Sequence, residues 1–246
     1  MKIKNKDFWE KSDIIETQEV SKSISNFEQF MFETSLKRYA KIGKIRKIKV
    51  FGCGTGRELE AIAKFYQPST IVASDISENM IEKCNMNLKI WNIDSITSTI
   101  VGDAIDFNKV SDEFELVTIL NSMLTYVPVR KDRLTIFDNA HQILVHGGVL
   151  IGTVHNQVGA FSKTWYFRLR RMLSVFLGEK VGNRDTGFKG FKVSGYYYDK
   201  KRLIRDLEES GFRDIEVYSI EEYQALNGRS YDRKKGYNNL IFIASK

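Results

Sequence analysis

Three glycines separated by single residues, Gly52, Gly54 and Gly56, lie between a short apolar run and a helical pattern. The apolar run, residues 45–51, is typical of a strand, and residues 57–66 have the periodicity of a helix. Glycine lets the backbone turn sharply and approach a ligand, and the first turn of a helix presents N–H groups without helical partners. The motif therefore predicts a strand–turn–helix unit that binds a nucleoside-containing ligand.

Apolar runs and helical patterns alternate along most of the remaining chain. Strands that alternate with helices form parallel sheets, whereas the connection of residues 221–238 allows the last strand to pair antiparallel. Ser77 is expected to cap the helix that follows it. The pattern predicts strands at residues 45–51, 70–74, 96–101, 116–120, 149–154, 213–220 and 239–245, and helices at residues 24–41, 57–66, 77–88, 130–144 and 199–210.

The composition indicates a globular protein in a reducing environment. A length of 246 residues with 42% hydrophobic content is sufficient for one α/β domain with an insertion. Two cysteines, Cys53 and Cys84, are too few for a disulfide scaffold or a four-ligand zinc cluster, and they favour a cytoplasmic location. The charged first residues do not resemble a secretory signal, and no run approaches the roughly 18 apolar residues of a membrane span.

Residues 156–198 interrupt the alternation and form an insertion after the fifth strand. Aromatic and aliphatic residues recur at helical spacing over residues 161–176, and Lys and Arg occupy the other face. Such a helix packs on the core with its cations reaching solvent, covers a substrate pocket, or contacts anionic lipid. We expect this insertion and a helical N-terminal segment, residues 1–42, to cover the acceptor site as a lid.

An aromatic cluster ends the insertion. Its members are Phe188, Phe191, Tyr196, Tyr197 and Tyr198. A cluster of this kind either binds a planar or cationic acceptor or packs in the core. Both alternatives remain open at the level of the sequence.

Asp75 lies at the end of the second predicted strand, 19 residues after Gly56. A carboxylate at this place can accept hydrogen bonds from both hydroxyls of a ribose. The alternative is a helix cap, a role that Ser77 can already fill. A dinucleotide fingerprint has two residues between its second and third glycines, so the spacing of this loop matches a pyrophosphate site poorly.

From about residue 24 to the end, apart from the insertion, the chain resembles the class I S-adenosylmethionine-dependent methyltransferases. The resemblance rests on Gly52-Cys53-Gly54-Thr55-Gly56, Asp75, Val101-Gly102-Asp103-Ala104, the segment 114–122, His146-Gly147-Gly148-Val149-Leu150, the segment 198–212 and Tyr237-Asn238-Asn239-Leu240-Ile241. It implies a doubly wound, mostly parallel seven-stranded sheet, the Rossmann-like methyltransferase fold, with an antiparallel last strand and a helical insertion after the fifth strand.

The same resemblance implies that S-adenosylmethionine is the cofactor. Residues 52–56 would then hold its methionine part, Asp75 its ribose, Ile76 and Met80 its adenine, and Asp103 the adenine amino group beside Ala104. Asn121 would lie near the methyl group that is transferred. The chain departs from the family at Val50, since an acid that helps to order the methionine end is usual at this position.

The catalytic residues are less well marked, because a sulfonium is already a good methyl donor and alignment is the main requirement. His155 follows the fifth strand and is a candidate general base, and a histidine that only caps this strand is the alternative. Tyr126 is a second candidate at the acceptor pocket. We expect methyl transfer to an oxygen or nitrogen of a small or lipid-like acceptor, with S-adenosylhomocysteine as the other product.

Two other functions fit the same residues. The first is methylation of RNA, since residues 156–205 carry 12 Lys and Arg against 3 Asp and Glu, although no RNA-binding module is recognisable and a nucleic-acid partner is disfavoured. The second is a catalytically silent subunit that binds the cofactor and activates a partner enzyme. The sequence predicts no metal site and does not determine the oligomeric state.

Overall fold

The computed structural model describes residues 3–19, 23–107, 113–232, 234 and 238–246, and the side chain of Phe188 is also outside the description. The predicted residue Tyr237 therefore lies outside the described residues. The strands are β1 Lys47–Phe51, β2 Thr70–Asp75, β3 Thr97–Val101, β4 Phe114–Ile119, β5 Leu144–His155, β6 Asn183–Phe188, β7 Phe191–Tyr196, β8 Arg213–Ser219 and β9 Asn239–Ser245. The helices are α1 Asn5–Trp9, α2 Ser12–Glu19, α3 Asn26–Tyr39, α4 Leu59–Tyr66, α5 Glu78–Ile90, α6 Arg130–Ile143, α7 Phe161–Met172, α8 Ser174–Leu177, α9 Lys200–Glu209 and α10 Ile220–Leu226.

Seven strands form one sheet in the order β3-β2-β1-β4-β5-β9-β8. Strands β1 to β5 are parallel, and β9 runs antiparallel to both β5 and β8, which confirms the predicted sheet and its antiparallel last strand. The order reverses between β1 and β4. In sheets of this kind ligands bind at the carboxyl ends of the strands beside such a reversal. A ligand site is therefore expected at the end of β1.

Both faces of the sheet are covered, because successive side chains of a strand point to opposite faces. On β1, Ile48 and Val50 join the core that contains residues of α3, α4 and α5, whereas Phe51 joins the core that contains residues of α6 and α9. Val50, which stands where the family usually has an acid, is therefore fully buried in the core.

Strand β5 begins at Leu144, five residues before the predicted start at residue 149. This extension is not recognisable in the sequence, because His146, Gly147 and Gly148 interrupt the apolar pattern of a strand. The pairing with β4 shifts between Phe114 and Leu116, and this irregularity accommodates them.

The insertion begins with the expected helix, α7, and continues into the short helix α8 and an antiparallel hairpin, β6–β7, that the sequence analysis did not include. The hairpin turns at Lys189 and Gly190, which both have positive φ, 51° and 81°. Two consecutive left-handed residues match the twist of paired strands. The aromatic pattern of this segment therefore belongs partly to a two-residue strand period and not only to a helix.

A buried cation connects the end of this hairpin to α6. Arg133 is fully buried, donates from Nε to the Tyr198 hydroxyl at 2.9 Å, and donates from Nη1 to the carbonyls of Val127 and Pro128 at 2.8 and 2.9 Å. Its guanidinium lies 3.6 Å from the ring centroid of Tyr196. Two members of the predicted aromatic cluster thus pack on Arg133 in the core.

Candidate functional site

The glycine loop is bound to the end of β2. The N–H groups of Gly52 and Cys53 donate to the Ser74 carbonyl at 2.8 and 3.0 Å, and the N–H of Gly54 donates to Asp75 Oδ2 at 2.8 Å. The backbone of Gly52 has a positive φ of 69°, and a Cβ there would lie 2.5 Å from Cγ of Met123. The loop can therefore adopt this path only with glycine at position 52.

Asp75 is oriented by two backbone donors, one for each carboxylate oxygen. Gly54 N–H donates to Oδ2 and Ser77 N–H donates to Oδ1 at 3.0 Å. Burial raises the pKa of the Asp75 carboxyl above its usual range, while the hydrogen bonds from Ser77 and Gly54 act in the opposite direction. Because each carboxylate oxygen accepts at two lone pairs, this geometry leaves one acceptor position on each oxygen.

The N-cap of α5 is Ser77 and not Asp75. The Ser77 side chain accepts from Met80 N–H at 3.1 Å, which confirms the predicted N-cap. Asp75 is therefore not required as the cap of this helix.

A first cavity of about 260 Å³ opens beside Asp75 at the carboxyl ends of β1, β2 and β4. Nine of the residues singled out from the sequence line it: Gly52, Gly54, Asp75, Ile76, Met80, Asp103, Ala104, Asn121 and Tyr126. Within the loop, the side chains of Cys53 and Thr55 are buried, and neither they nor Gly56 line this cavity. Asp103, which lines the cavity, accepts from the N–H of Ile105 through Oδ1 at 3.0 Å.

A second cavity adjoins the first. Gln18 and Asn121 line both, and Asn121 Nδ2 donates to Gln18 Oε1 at 3.1 Å where the two meet. Its other lining residues are Thr17, Ser23, Ile24, Ser25, Phe27, Glu28, Arg57 and Thr153. Among the residues that line the two cavities, all of them described, Arg57 is the single Lys or Arg.

Arg57 is positioned by a buried carboxylate. Its guanidinium forms an ion pair with Glu28 and donates to the Ser23 carbonyl at 3.2 Å. Glu28 is itself held by the capping box of α3, because its Oε2 accepts from the N–H and the hydroxyl of Ser25 at 2.7 and 2.8 Å. Local sequence spacing does not predict this pair, since 29 residues separate its members.

Two consecutive left-handed residues place Asn121 between the cavities. Asn121 and Ser122 follow Leu120 after the end of β4 and have φ values of 52° and 58°. Ser122 N–H donates to Thr153 Oγ1 at 2.8 Å, and Asn239 Nδ2 donates to Ser122 Oγ at 2.8 Å. Strained backbone that neighbouring strands hold in this way is common at functional sites.

The N-terminal helices form one wall of the first cavity. Trp9 lines it, and its ring packs edge-on against Tyr126 with 4.8 Å between centroids. Helix α1 packs on the start of α5, because its C-cap residue Glu10 accepts from the N–H groups of Glu78 and Asn79 at 2.9 and 3.3 Å. Neither Trp9 nor Gln18 belongs to a periodic pattern, so the sequence alone predicts no role for them.

His155 lies at the end of β5, and neither cavity is lined by it. Its ring is 5.1 Å from that of Tyr197 and 6.3 Å from that of Tyr126, centroid to centroid, and its buried Nδ1 has no hydrogen-bond partner among the described residues. Burial, and to a lesser extent the positive charge of Lys163, lower the pKa of His155 to about 4. The His155 side chain is therefore neutral at neutral pH. It lies next to Tyr126, which lines the first cavity.

Glu58 is an unexpected buried acid beside the loop. It is only 2% exposed, and its Oε1 has no hydrogen-bond partner among the described residues. Burial raises its pKa to about 7, with Arg57 acting in the opposite direction. Folding therefore costs free energy whenever this carboxyl is ionised.

We expect Glu58→Gln to be more stable than the parent at pH 8 by about 2 to 4 kcal/mol, a difference that follows from the displaced pKa. The folded state holds the proton up to about pH 7 and the unfolded state releases it near pH 4.5. The stability of the parent thus falls as the pH rises between these values, and the difference closes below them. Urea unfolding from pH 4 to 8 measures it, with the partly exposed Glu60→Gln as control for the loss of a charge. A difference that does not change with pH would contradict the assignment.

Comparison with known proteins agrees with this geometry. Residues 49–148 match the family described as a methyltransferase domain. Over 107 residues the chain is 33% identical to carboxy-S-adenosyl-L-methionine synthase of Shewanella halifaxensis (strain HAW-EB4), a match that covers 43% of this chain and 42% of that protein. The chain thus matches about two-fifths of the length of the curated relatives.

Solved structures extend the likeness of the fold to almost the whole chain. An S-adenosylmethionine-dependent methyltransferase from Methanosarcina mazei superposes with a TM-score of 0.61 at 20% identity, over 85% of this chain and 95% of that one. Phosphoethanolamine N-methyltransferase 2 of Haemonchus contortus, in complex with phosphomonomethylethanolamine and S-adenosylhomocysteine, superposes with a TM-score of 0.67 at 16% identity, over 99% of this chain and 61% of that one.

The sheet order and the position of the loop define a Rossmann-like methyltransferase fold. Residues 49–148, which carry the loop and the strands that follow it, match a methyltransferase domain, and the fold resembles that of S-adenosylmethionine-dependent methyltransferases. In the part of the chain that the structure describes, no helix has the length and apolar character needed to cross a membrane. No group of metal-ligating side chains occurs among the same residues.

Proposed function

We propose that this chain transfers the methyl group of S-adenosylmethionine to an oxygen or nitrogen of a small or lipid-like acceptor, with the cofactor extending across both cavities. The observation that carries the proposal is Asp75, held by Gly54 and Ser77 with one acceptor position left on each oxygen. Two adjacent acceptor positions fit the two hydroxyls of a ribose. When bound, the cofactor supplies a methyl group on a positively charged sulfur.

The wall of the first cavity fits the remainder of an adenosine. Ile76, Met80 and Ala104 offer apolar surface for the base, and Asp103 can accept from its amino group. No cation lines this cavity. The absence of a cation among these described lining residues suits an uncharged nucleoside and not a dinucleotide pyrophosphate.

The second cavity fits the amino-acid end of the cofactor. Arg57 supplies the positive charge that a carboxylate requires, and Glu28 keeps this guanidinium in place. We propose that Arg57 orders the methionine end, which Val50 cannot do because it is buried in the core. Arg57 would thus take over the ordering of the methionine end from the acid that the family usually has at position 50.

Binding of two nucleosides to the parent and to one variant tests this assignment. Calorimetry would compare S-adenosylhomocysteine with 5′-methylthioadenosine, which lacks the amino-acid end. We expect Arg57→Gln to weaken S-adenosylhomocysteine about tenfold or more and to leave methylthioadenosine unchanged, because only the first ligand has the carboxylate. Equal weakening of both ligands would mean that Arg57 only supports the fold, and no binding of either ligand would overturn the proposed function.

Methyl transfer mainly requires that the reacting atoms are aligned and that water is excluded. Residues of this chain beside the bound acceptor would meet both requirements. We propose that α1 and α2 form a lid, supported by the positions of Trp9 and Gln18 in the cavity wall. Tyr126 lies in the same wall and is a candidate to contact the acceptor. Turnover in a screen of small amines and alcohols, with the radioactive methyl group followed into product, tests activity directly. A chain that binds the cofactor and transfers no methyl group would favour the silent-subunit alternative.

We propose that His155 acts as a base toward the acceptor from its position behind Tyr126, outside both cavities. If it takes a proton, His155→Gln is expected to lower kcat about 100-fold or more without weakening S-adenosylhomocysteine. Unchanged kcat would show that the residue serves packing only.

The displaced pKa of His155 has a separate consequence for stability. The unfolded chain takes up a proton on this side chain near pH 6.5 and the folded protein near pH 4, so stability falls as the pH drops between these values. We expect His155→Gln to remove about 2 to 4 kcal/mol of this acid-dependent loss. Urea unfolding of parent and variant at pH 7.5 and pH 4.5 measures the change, and parallel losses in both would contradict it.

We further propose a cytoplasmic location, supported by the two free buried thiols of Cys53 and Cys84. The proposed acceptors are small molecules or lipid-like molecules, and the resemblance to a phosphoethanolamine N-methyltransferase supports a small polar amine as the first acceptor class to screen.

A further inference from the structure

The insertion carries a large apolar surface that no other described part of the chain covers. Met172, Val175 and Phe176 are 80%, 89% and 88% exposed, and Phe161 and Leu169 are also exposed. Residues 161, 165, 169 and 172 repeat at the spacing of one face of α7, and Val175 and Phe176 lie on α8. We call the exposed side chains of Phe161, Trp165, Leu169, Met172, Val175 and Phe176 the insertion face. An apolar surface of this continuity is unusual on a protein that contacts only water.

Cations accompany this face within the segment that carries it. Residues 156–178 contain Lys163, Arg168, Arg170 and Arg171 and neither Asp nor Glu. Arg168 is exposed and lies over the ring of Trp165, with 5.9 Å to the centroid. The Arg171 side chain is 59% exposed, donates to Gln157 Oε1 at 3.1 Å and forms an ion pair with Asp199 at 3.8 Å.

The combination of apolar and cationic side chains on one surface favours an anionic bilayer over a second copy of this chain. A second copy of this chain would bring four more cations against the four already present and would cost electrostatic energy. The surface of an anionic bilayer accepts both properties, because apolar and aromatic side chains enter the boundary between headgroups and acyl chains while Arg and Lys contact lipid phosphates.

We propose that the insertion face docks the protein on the surface of an anionic bilayer. The helices lie in the plane of the interface with Phe176 and Met172 inserted and Arg168 and Arg171 at the level of the headgroups. Because α7 follows β5 at the edge of the sheet where both cavities lie, docking holds the cavities close to the bilayer surface. The docking does not depend on the proposed function, since no cavity residue takes part in it.

Sedimentation of the full chain with vesicles tests the docking. Vesicles of phosphatidylcholine alone would be compared with vesicles that also contain phosphatidylglycerol. We expect binding to the anionic vesicles, at least tenfold weaker for the triple variant Met172→Ser, Val175→Ser, Phe176→Ser, because each side chain transferred from water to the interface contributes to binding. The double variant Arg168→Gln, Arg171→Gln is expected to lose the preference for anionic lipid, and added salt is expected to weaken the parent.

A matched control removes apolar surface elsewhere. Met86 and Ile90 on α5 are 59% and 71% exposed and lie outside the insertion face. The variant Met86→Ser, Ile90→Ser is expected to bind vesicles like the parent. Thermal unfolding of each variant verifies that it is folded before binding is compared.

A direct reporter is already present in Trp165. Its fluorescence, taken as the difference between the parent and Trp165→Phe, is expected to shift to shorter wavelength on anionic vesicles. The absence of vesicle binding, or equal binding by the triple variant and the parent, would overturn the proposal. It would also be overturned by a dimer that only the triple variant loses, or by single-stranded RNA that displaces the anionic vesicles.

Discussion

Asp75→Ala is expected to weaken the binding of S-adenosylmethionine and S-adenosylhomocysteine by about 1.5 to 3 kcal/mol, roughly 10- to 150-fold. The substitution removes the acceptor positions that remain on the carboxylate after Gly54 and Ser77 have each donated to one oxygen. Hydrogen bonds to a charged group are the strong ones, and the substitution leaves the ribose hydroxyls without this partner.

Calorimetry on the variant measures this loss. Asp94→Ala is the matched control, because it removes an exposed carboxylate from the loop before β3. Methylthioadenosine is expected to weaken as much as S-adenosylhomocysteine, in contrast to the effect of Arg57→Gln. Unchanged affinity would show that Asp75 only secures the glycine loop, and a lower thermal stability without a change of affinity would lead to the same conclusion.

Arg133→Met is expected to lower the free energy of unfolding by about 3 to 5 kcal/mol, the range for breaking a buried charged network. Methionine fills most of the volume but leaves the carbonyls of Val127 and Pro128 and the hydroxyl of Tyr198 without the donors that Arg133 supplies. Each unsatisfied buried group costs about 1 to 3 kcal/mol.

Urea unfolding gives the measurement, and Lys131→Met on the exposed side of the same helix is the control. Because Val127 and Pro128 also line the first cavity, we expect cofactor affinity to fall together with stability. A loss below about 1 kcal/mol would mean that water replaces the guanidinium, and the buried network would then contribute little to the fold.

The local elements follow from local patterns. The seven strands, the cap at Ser77 and the antiparallel pairing of β9 agree with the sequence analysis. Periods of two and 3.6 residues and a capping side chain are properties of neighbouring residues, so they can be recognised without knowledge of the fold. The hairpin β6–β7 was missed because its strands are short and follow a helical pattern.

The position of the candidate cofactor residues was predictable for a similar reason. Glycines between a strand and a helix, with an acid at the end of the next strand, meet at the carboxyl edge of a parallel sheet. Gly52, Gly54, Asp75 and Asp103 accordingly line one cavity. Their role toward the cofactor remains a prediction until the binding of the variants is measured.

The sequence by itself determined the sheet, the glycine loop and the acids at the strand ends, because these depend on short-range spacing. Only the tertiary structure decided which distant residues complete the site. Gln18 meets Asn121 across 103 residues, Arg57 meets Glu28, and His155 lies behind Tyr126 and outside both cavities. No periodicity records such pairs, because their contacts depend on how separate helices and strands pack, and packing is settled only when the whole core is assembled.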